Sequence, residues 1–359
     1  MSASPSTEPR EWHVCALYCF ADLPDREEWR DRLHALCERE ALRGTLILAA
    51  EGINGTVAGP RGGIDALLAE LAADDRFAGA EVKHARAAAA PFRRLKVRCK
   101  REIVTLGRPT DVPGRRGRYV EPSDWNAVLA DPAVTLVDAR NDFEVELGTF
   151  HGANGPALDP GTRDFRDFPG WAEANLPAER DAPVAMFCTG GIRCEKATAW
   201  LAGRGYRNLL HLRGGILRYL EEVHPDGTTD GDGAATKWHG ACFVFDERVA
   251  VGHGLEQTGH TVCRSCRMPL SAEDRTHEDY HAEISCPRCA ASLRPEDRAR
   301  RVERRDQAAR ALARGTNHIG ADIAAEKARK RAEREKQRRR SLRERPRRRT
   351  RPLTKEPVS

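Results

Sequence analysis

An apolar segment that runs straight into a glycine-rich cysteine loop is the feature that most constrains the fold of this chain. Val184–Phe187 reads as a buried strand, and the next six residues are Cys188-Thr189-Gly190-Gly191-Ile192-Arg193. Two adjacent glycines let the backbone turn tightly enough for successive N–H groups to point inward as an anion-binding nest. A helix is predicted from Cys194 to Gly203, and its positive end adds to the charge of Arg193. We therefore expect Cys188 to be a reactive catalytic nucleophile, with Arg193 stabilising negative charge beside it.

The size of this loop narrows its chemistry. Four residues separate Cys188 from Arg193, one fewer than in the loop of cysteine-dependent phosphatases, which must enclose a phosphate. A loop of this size suits a persulfide or another small adduct, so phosphatase activity is disfavoured. Cys194 follows the loop directly and has two interpretations. It either resolves an oxidised Cys188 or packs as a small supporting residue in the first helical turn, and we favour packing.

The segments around the loop predict a mainly parallel sheet. Apolar runs at Thr135–Val137, Val184–Phe187 and Leu209–Leu212 alternate with helical patterns, which is typical of an α/β sheet covered by helices on both faces. Reactive loops in such sheets lie at the carboxyl ends of strands. The first of these runs ends in Asp138-Ala139-Arg140, which makes Asp138 and Arg140 candidate supporting residues.

The N-terminal segment predicts a second, α+β domain. Its elements have the order β-α-β-β-α-β of a ferredoxin-like or acylphosphatase-like sheet. An Asn-Gly pair in the segment Glu51-Gly52-Ile53-Asn54-Gly55 predicts the hairpin turn between the second and third strands. No pattern here indicates catalysis, and a packing or RNA-positioning module is the favoured interpretation. The expected elements are strand 13–20, helix 26–40, strands 44–50 and 55–58, helix 64–71 and strand 81–86.

Four of the eleven cysteines form a metal-type quartet near the C-terminus. Cys263-x-x-Cys266 and Cys286-x-x-Cys289 are separated by 19 residues, a spacing typical of a closed, tetrahedral zinc site. Such a site is structural rather than catalytic. Metal-free packing and a redox pair are the alternatives.

The charge of the chain is concentrated at its end. The net charge is +6, but residues 327–351 hold 15 Lys or Arg and 3 Glu, so this basic tail carries +12 and the rest of the chain −6. A strongly basic tail indicates a polyanionic partner. No signal peptide and no membrane-spanning apolar run is recognisable, so a cytoplasmic location without membrane contact is expected.

Several motifs together resemble one family, the bacterial rhodanese-domain tRNA uridine hydroxylases. They are Glu51-Gly52-Ile53-Asn54-Gly55-Thr56, Glu102-Ile103-Val104-Thr105-Leu106-Gly107, Tyr119-Val120-Glu121-Pro122, Asp138-Ala139-Arg140-Asn141-Asp142 and Cys188-Thr189-Gly190-Gly191-Ile192-Arg193-Cys194-Glu195-Lys196. The likeness runs from about residue 13 to about residue 289 and leaves out the basic tail. With the patterns described above, it leads us to expect a ferredoxin- or acylphosphatase-like domain over residues 10–106, a rhodanese domain with a parallel sheet over 119–225 and a small cysteine-rich module over 236–297. Outside the likeness, residues 298–359 are expected to form a basic tail that is partly helical or disordered.

The resemblance implies an oxygen-dependent conversion of the wobble uridine (position 34) of tRNA to 5-hydroxyuridine. Cys188 would be the active-site cysteine, the partner would be the anticodon region of tRNA, and the cofactors would be molecular oxygen and an electron donor that the sequence does not identify. Our chemical hypothesis is that Cys188 adds to C6 of the uracil ring, with a persulfide on Cys188 as the other route.

Two other functions compete with this interpretation. A rhodanese-type sulfurtransferase that carries a persulfide on Cys188 would use the same loop, but it leaves the basic tail and the additional modules unexplained. A non-enzymatic RNA-binding scaffold would need neither Cys188 nor Arg193, and both are present.

Overall fold

The computed structural model describes residues 11–223 and 236–313. The described residues divide into two units between Arg301 and Val302. All strands of the described residues lie in the first unit. No helix within 11–223 or 236–313 is both long enough and apolar enough to cross a membrane.

The N-terminal sheet contains the four strands predicted from the sequence, in a domain with the predicted order of elements, and one further strand at its edge. The order is β4-β1-β3-β2-β5, and every pair is antiparallel except β2 with β5. Two helices cover one face, and their buried residues, among them Trp29 and Leu67, form the core with the strands. The elements are β1 (Trp12–Phe20), α1 (Arg26–Arg39), β2 (Arg43–Ala49), β3 (Gly52–Gly59), α2 (Arg61–Ala72), β4 (Glu81–Ala87) and β5 (Leu95–Cys99).

The hairpin between β2 and β3 is present, but its predicted turn position was wrong. The chain turns at residues 50–51, and the Asn-Gly pair lies inside β3, where Asn54 is opposite Ile47. Asn54 donates a hydrogen bond to the carbonyl oxygen of Ile103 at 2.9 Å. A Cβ at Gly55 would come within 2.1 Å of the carbonyl oxygen of Thr45. The glycine therefore permits close strand packing, and the asparagine anchors a distant segment.

The central sheet is wholly parallel and carries helices on both faces, which confirms the predicted α/β class. Its strand order is β6-β11-β10-β7. Along β10, Ala185 and Phe187 pack into one core and Val184 and Met186 into the other. The elements are α3 (Val112–Arg115), β6 (Arg118–Val120), α4 (Pro122–Ala130), β7 (Thr135–Asp138), α5 (Asp142–Val145), α6 (Phe168–Asn175), β10 (Val184–Phe187), α7 (Ile192–Ala202), β11 (Leu209–Leu212) and α8 (Gly215–Glu222).

The remaining strands are short and join the central sheet to the cysteine-rich segment. Trp238 pairs with Phe150 across two of these strands, and Trp238, Cys242 and Val251 belong to one of the cores beneath the central sheet. Packing thus continues across the boundary predicted at residue 236. The elements are β8 (Gly148–Gly152), β9 (Gly155–Pro156), β12 (Trp238–Gly240), β13 (Cys242–Phe243), β14 (Ala250–Val251), β15 (Thr261–Val262), β16 (Pro269–Leu270), α9 (Pro287–Ala290) and α10 (Pro295–Ala313).

Of the segment predicted as a basic tail, residues 298–313 continue α10. The strongly basic residues 327–351 lie outside the described residues.

Candidate active site

Cys188 lies at the carboxyl end of β10, a central strand of the parallel sheet. The sulfur accepts a hydrogen bond from the backbone N–H of Gly191 at 3.2 Å. Helix α7 begins at Ile192, two residues before the predicted start, so its amino end lies beside the sulfur. Gly191 has φ +103°, and a Cβ there would meet the hydroxyl of Tyr18 at 2.8 Å. A glycine is therefore required at this position both by the backbone and by the neighbouring domain.

The surroundings of Cys188 favour its thiolate. Burial opposes ionisation, but the Cys194 thiol, the charge of Arg193 and the backbone N–H groups of Cys194 and Gly191 together lower the pKa of Cys188 to about 5. Burial and the adjacent Cys188 sulfur raise the pKa of Cys194 well above its usual value. Cys188 is thus the ionised thiol at neutral pH, and Cys194 is its fully buried hydrogen-bond donor.

Arg193 is held by a buried carboxylate that the sequence reasoning missed. Its guanidinium forms two parallel hydrogen bonds with Glu144, at 2.7 and 2.8 Å. The hydroxyl of Thr189 also donates to Glu144, at 3.1 Å. Glu144 also accepts a hydrogen bond from the backbone N–H of Asn141, at 3.2 Å, at the start of α5. The effect of burial is outweighed by Arg193, which lowers the pKa of Glu144. The Asn-x-x-Glu spacing after a strand was the signal that could have identified it.

The predicted supporting pair Asp138 and Arg140 lies behind the loop. Arg140 donates to both carboxylate oxygens of Asp138, at 2.8 and 2.6 Å, and to the carbonyl oxygen of Gly148 at 2.5 Å. Thr149 donates to the same carboxylate at 2.9 Å. Both ionic side chains are 0% exposed, so they join β7 to β8 and do not face a substrate.

A cavity of about 450 Å³ opens above the cysteine loop. Cys188 borders it without any exposed surface, so contact with the sulfur requires a narrow reactant or a small movement of the loop. The lining comes mainly from the N-terminal domain, the loop, residues 164–166 and residues 244–248, with Asn141 and Leu217. Its polar or charged members include Tyr18, Asn54, Lys83, Lys100, Asn141, Asp164, Thr189, Arg166, Arg193 and Arg248, and the loop adds Gly190 and Ile192.

The N-terminal domain supplies two side chains to this cavity for which the sequence gave no signal. Lys83 on β4 donates to the carbonyl oxygen of Gly190 at 2.9 Å. Burial lowers the pKa of Lys83, and the negative charges of Glu81 and Cys188 counteract that effect. Tyr18 on β1 donates to Glu195 at 2.6 Å. These contacts place an ammonium group and a phenol beside the cysteine loop.

Three of the recognised motifs meet in one buried ion cluster that joins the two domains. The ammonium of Lys196, in α7, contacts Glu51 at 2.8 Å, Glu102 at 2.6 Å and the carbonyl oxygen of Val104 at 2.9 Å. Lys196 is only 1% exposed. The cluster fixes the N-terminal sheet against α7, and so fixes Lys83 and Tyr18 relative to Cys188.

The cysteine quartet converges as the spacing predicted. The four sulfurs of Cys263, Cys266, Cys286 and Cys289 lie within 4.8 Å of one another. The sulfur of Cys263 is 4.0 Å from that of Cys289, and that of Cys266 is 3.7 Å from that of Cys286. Four thiolates around a tetrahedral zinc have sulfurs about 3.8 Å apart, since each bond is about 2.3 Å. The quartet therefore fits a single metal ion with four protein ligands.

The central sheet is parallel, and a cysteine loop follows one of its central strands. Together with the β-α-β-β-α-β domain that precedes it, this arrangement defines a rhodanese-type enzyme with an acylphosphatase-like N-terminal domain. A family model described as the UPF0176 acylphosphatase like domain matches residues 12–103. Proteins named tRNA uridine(34) hydroxylase from Brucella ovis and Brucella melitensis biotype 2 are each 49% identical to this chain over 309 residues, which is 86% of this chain and 97% of theirs. The homologue of that name from Brucella suis biovar 1 is also 49% identical, with 96% of its length covered. The chain belongs to the tRNA uridine(34) hydroxylase family, as the motifs predicted.

Solved structures match parts of the chain. A rhodanese-like domain from an Anabaena species is 19% identical, with a TM-score of 0.24, over 28% of this chain and 71% of that domain. A rhodanese-related protein from Thermoplasma volcanium is 27% identical, with a TM-score of 0.23, over 30% of this chain and 95% of that protein.

Proposed function

We propose that this chain hydroxylates uridine 34 of tRNA at C5 and that Cys188 is the nucleophile. The observation that carries the proposal is a thiol with a pKa of about 5 at the base of a 450 Å³ cavity. A cavity of this size lies in the range of about 300–1,000 Å³ found for small-ligand sites. A wobble uridine lies in a single-stranded loop, so its base can enter such a cavity without breaking a base pair.

The proposed chemistry begins with addition of the Cys188 thiolate to C6 of uracil. A sulfur–carbon bond forms, and the electrons of the C5–C6 double bond move to C5 and the neighbouring carbonyl oxygen as an enolate. C5 then bonds to molecular oxygen as a peroxide, and two electrons and two protons from an external reductant cleave its O–O bond to leave a C5 hydroxyl and water. Loss of the C5 proton and of the Cys188 thiolate then restores the double bond. Overall, uridine, oxygen, two electrons and two protons give 5-hydroxyuridine and water, so the reaction requires an external two-electron reductant.

Lys83 and Arg193 have separate roles in this proposal. Lys83 lies in the cavity lining with its ammonium 2.9 Å from the Gly190 carbonyl, so it is placed to stabilise an enolate that forms above the loop. Arg193 is bound in a bidentate pair to Glu144, so it acts on Cys188 through its charge and keeps the loop in shape. Asp138 and Arg140 support the loop from behind.

Two further parts of the chain support tRNA binding in this proposal, and the cysteine quartet has a structural role. Lys100 and Arg166 are exposed and line the cavity, where they can contact phosphates next to the anticodon. The cysteine quartet would hold a structural zinc ion, since all four ligands come from the protein and leave no open position. The basic tail would add sequence-independent attraction to RNA.

Nucleoside mass spectrometry tests the function directly. In cells that lack 5-hydroxyuridine, the native chain should restore it, and Cys188→Ser should not. Cys99→Ser is the matched control, because Cys99 lies on β5 and borders neither the loop nor the cavity. Restoration should fail without oxygen. Full restoration by Cys188→Ser would contradict the proposal.

Sulfur transfer is the second candidate, because the same loop geometry favours a persulfide. The Cys188 thiolate would attack the outer sulfur of thiosulfate, release sulfite and later pass that sulfur to an acceptor. Rapid thiosulfate-to-cyanide transfer by the native chain, together with a changed thiolated nucleoside and no 5-hydroxyuridine, would favour this function over hydroxylation.

A further inference from the structure

A second cavity lies beside the active-site cavity and is strongly basic. This basic groove, of about 440 Å³, is lined by Arg93, Arg94 and Lys96 near β5, by Arg264 and Arg267 near the cysteine quartet, and by Phe245. Asp246 and Glu247 are its acidic lining residues. Five basic side chains against two acidic ones make the groove complementary to a polyanion.

Much of that positive charge is available to a ligand. Glu247 contacts Arg93 at 3.4 Å and Arg264 at 3.1 Å, and Asp246 is paired with Arg248. Arg94, Lys96 and Arg267 are exposed and have no ion pair with any residue in 11–223 or 236–313. A bound phosphate would supply the missing counter-charge.

Phe245 stands between the groove and the active-site cavity and lines both. It is 65% exposed, whereas large apolar side chains in the described residues are mostly buried. Its ring packs edge-on against Phe243 at 5.0 Å, and Phe243 packs in the same way against Phe143 at 5.1 Å. The Phe245 ring is exposed, and its contact with Phe243, which Phe143 holds in turn, restricts its movement. A nucleobase can stack on such a ring.

The cysteine quartet positions one side of this groove. Arg264 lies between Cys263 and Cys266, and Arg267 follows Cys266 directly. The N–H of Arg267 donates to the carbonyl oxygen of Cys263 at 2.8 Å, and Arg267 has φ +70°. A left-handed conformation disfavours arginine relative to glycine, so an arginine at this position lowers local stability.

We propose that the basic groove binds the single-stranded RNA that flanks the target uridine, with its phosphates on Arg94, Lys96 and Arg267 and an adjacent base stacked on Phe245. This inference rests on the proposed function, because it assigns the groove to the same RNA substrate. Duplex RNA is not the ligand, since paired bases cannot present a face to Phe245.

Binding of a fluorescent anticodon stem–loop to the full chain tests the stacking. Phe245→Ala should weaken binding about ten-fold, whereas Phe245→Tyr should keep it, because only the ring face is used. Leu158→Ala is the matched control, since Leu158 is also an exposed apolar residue, at 43%, and lines neither cavity. Affinity for a fully paired duplex should not change. Equal stem–loop affinity for Phe245→Ala and the native chain would overturn the inference.

Arg267→Gly separates phosphate binding from a structural role. Glycine suits the left-handed backbone, so the unfolding midpoint should not fall, while the slope of log affinity against log salt should decrease by about one. Arg61→Ala on α2, outside the groove, should leave the slope unchanged. An unchanged slope for Arg267→Gly would refute a phosphate contact.

Nucleoside analysis distinguishes failure of this inference from failure of the proposed function. If the native chain forms no 5-hydroxyuridine but Phe245→Ala loses stem–loop binding, the groove stands as an RNA site and the hydroxylase proposal fails. If hydroxylation is normal and neither Phe245→Ala nor Arg267→Gly alters RNA binding, the groove inference alone is wrong.

Discussion

Replacement of Cys194 by alanine tests whether the low pKa of Cys188 has the origin that the structure indicates. Cys194 is fully buried, and its thiol is the largest of the contributions that favour the Cys188 thiolate over the opposing effect of burial. A hydrogen bond to a charged group contributes about 1.5–3 kcal/mol. Loss of that donor should therefore reduce the acid dissociation constant of Cys188 about ten- to hundred-fold.

The ultraviolet absorbance of the thiolate, followed against pH, measures this change. The signal is taken as the difference between each protein and the same protein with Cys188→Ser, because the chain holds eleven cysteines. Cys194→Ser is the matched control: a hydroxyl still donates to the sulfur, so the midpoint should stay near 5. A midpoint for Cys194→Ala equal to that of the native chain would refute the assigned role of Cys194.

Three further changes test the domain junction, the proposed stabilisation of the enolate by Lys83, and the pH dependence of stability. Lys196→Met should lower the free energy of unfolding by about 3 kcal/mol, because two carboxylates lose their buried ammonium partner. Urea denaturation measures this change, and a native free energy of unfolding would contradict it. Lys83→Met should reduce the rate of stem–loop hydroxylation at least about ten-fold and leave the unfolding midpoint unchanged. A native rate of hydroxylation would contradict a role for Lys83 in the reaction. The depressed pKa of Cys188 stabilises the folded state. This contribution is fully present above pH 9.0, the usual pKa of the thiol, and is lost as the pH falls through about 5. The stability difference between the native chain and Cys188→Ser should therefore grow as pH rises from 5 to 9, and a constant difference would contradict the assigned ionisation.

Removal of the metal tests the role of the cysteine quartet. The purified chain should contain zinc, and a chelator should lower both thermal stability and stem–loop affinity, because Arg264 lies between Cys263 and Cys266 and Arg267 follows Cys266 directly. Elemental analysis and melting curves measure this. A chain without metal that keeps native stability and RNA affinity would support metal-free packing.

The sequence indicated the sheets and the cysteine loop because their signals are local. A strand that runs directly into a cysteine and two glycines needs no distant information to be recognised, and Cys188 lies where that pattern predicts. The quartet was recognisable for the same reason, since two Cys-x-x-Cys turns carry their geometry in their spacing. Both features depend on residues that are neighbours in the chain.

The missed residues depend on tertiary contacts. Lys83 contacts Gly190 across 107 positions, and Glu144 contacts Arg193 across 49. The residues next to Lys83 give no signal for its contact, and the Asn-x-x-Glu spacing at Glu144 indicates a helix start but not its pairing with Arg193. The misplaced turn has a similar cause. Asn54 and Gly55 have the composition of a turn, but their functions are a contact with Ile103 and close strand packing. Tertiary contacts thus overrode a strong local signal.

Covalent trapping with an anticodon stem–loop that carries 5-fluorouridine at position 34 tests the central claim most directly. Fluorine at C5 cannot leave as a proton does, so addition of Cys188 to C6 should leave a stable protein–RNA adduct on the peptide that contains Cys188. Cys188→Ser should form no adduct, and Cys99→Ser should form as much as the native chain. An enzyme that hydroxylates uridine but forms no adduct with the fluorinated RNA would contradict direct addition by Cys188.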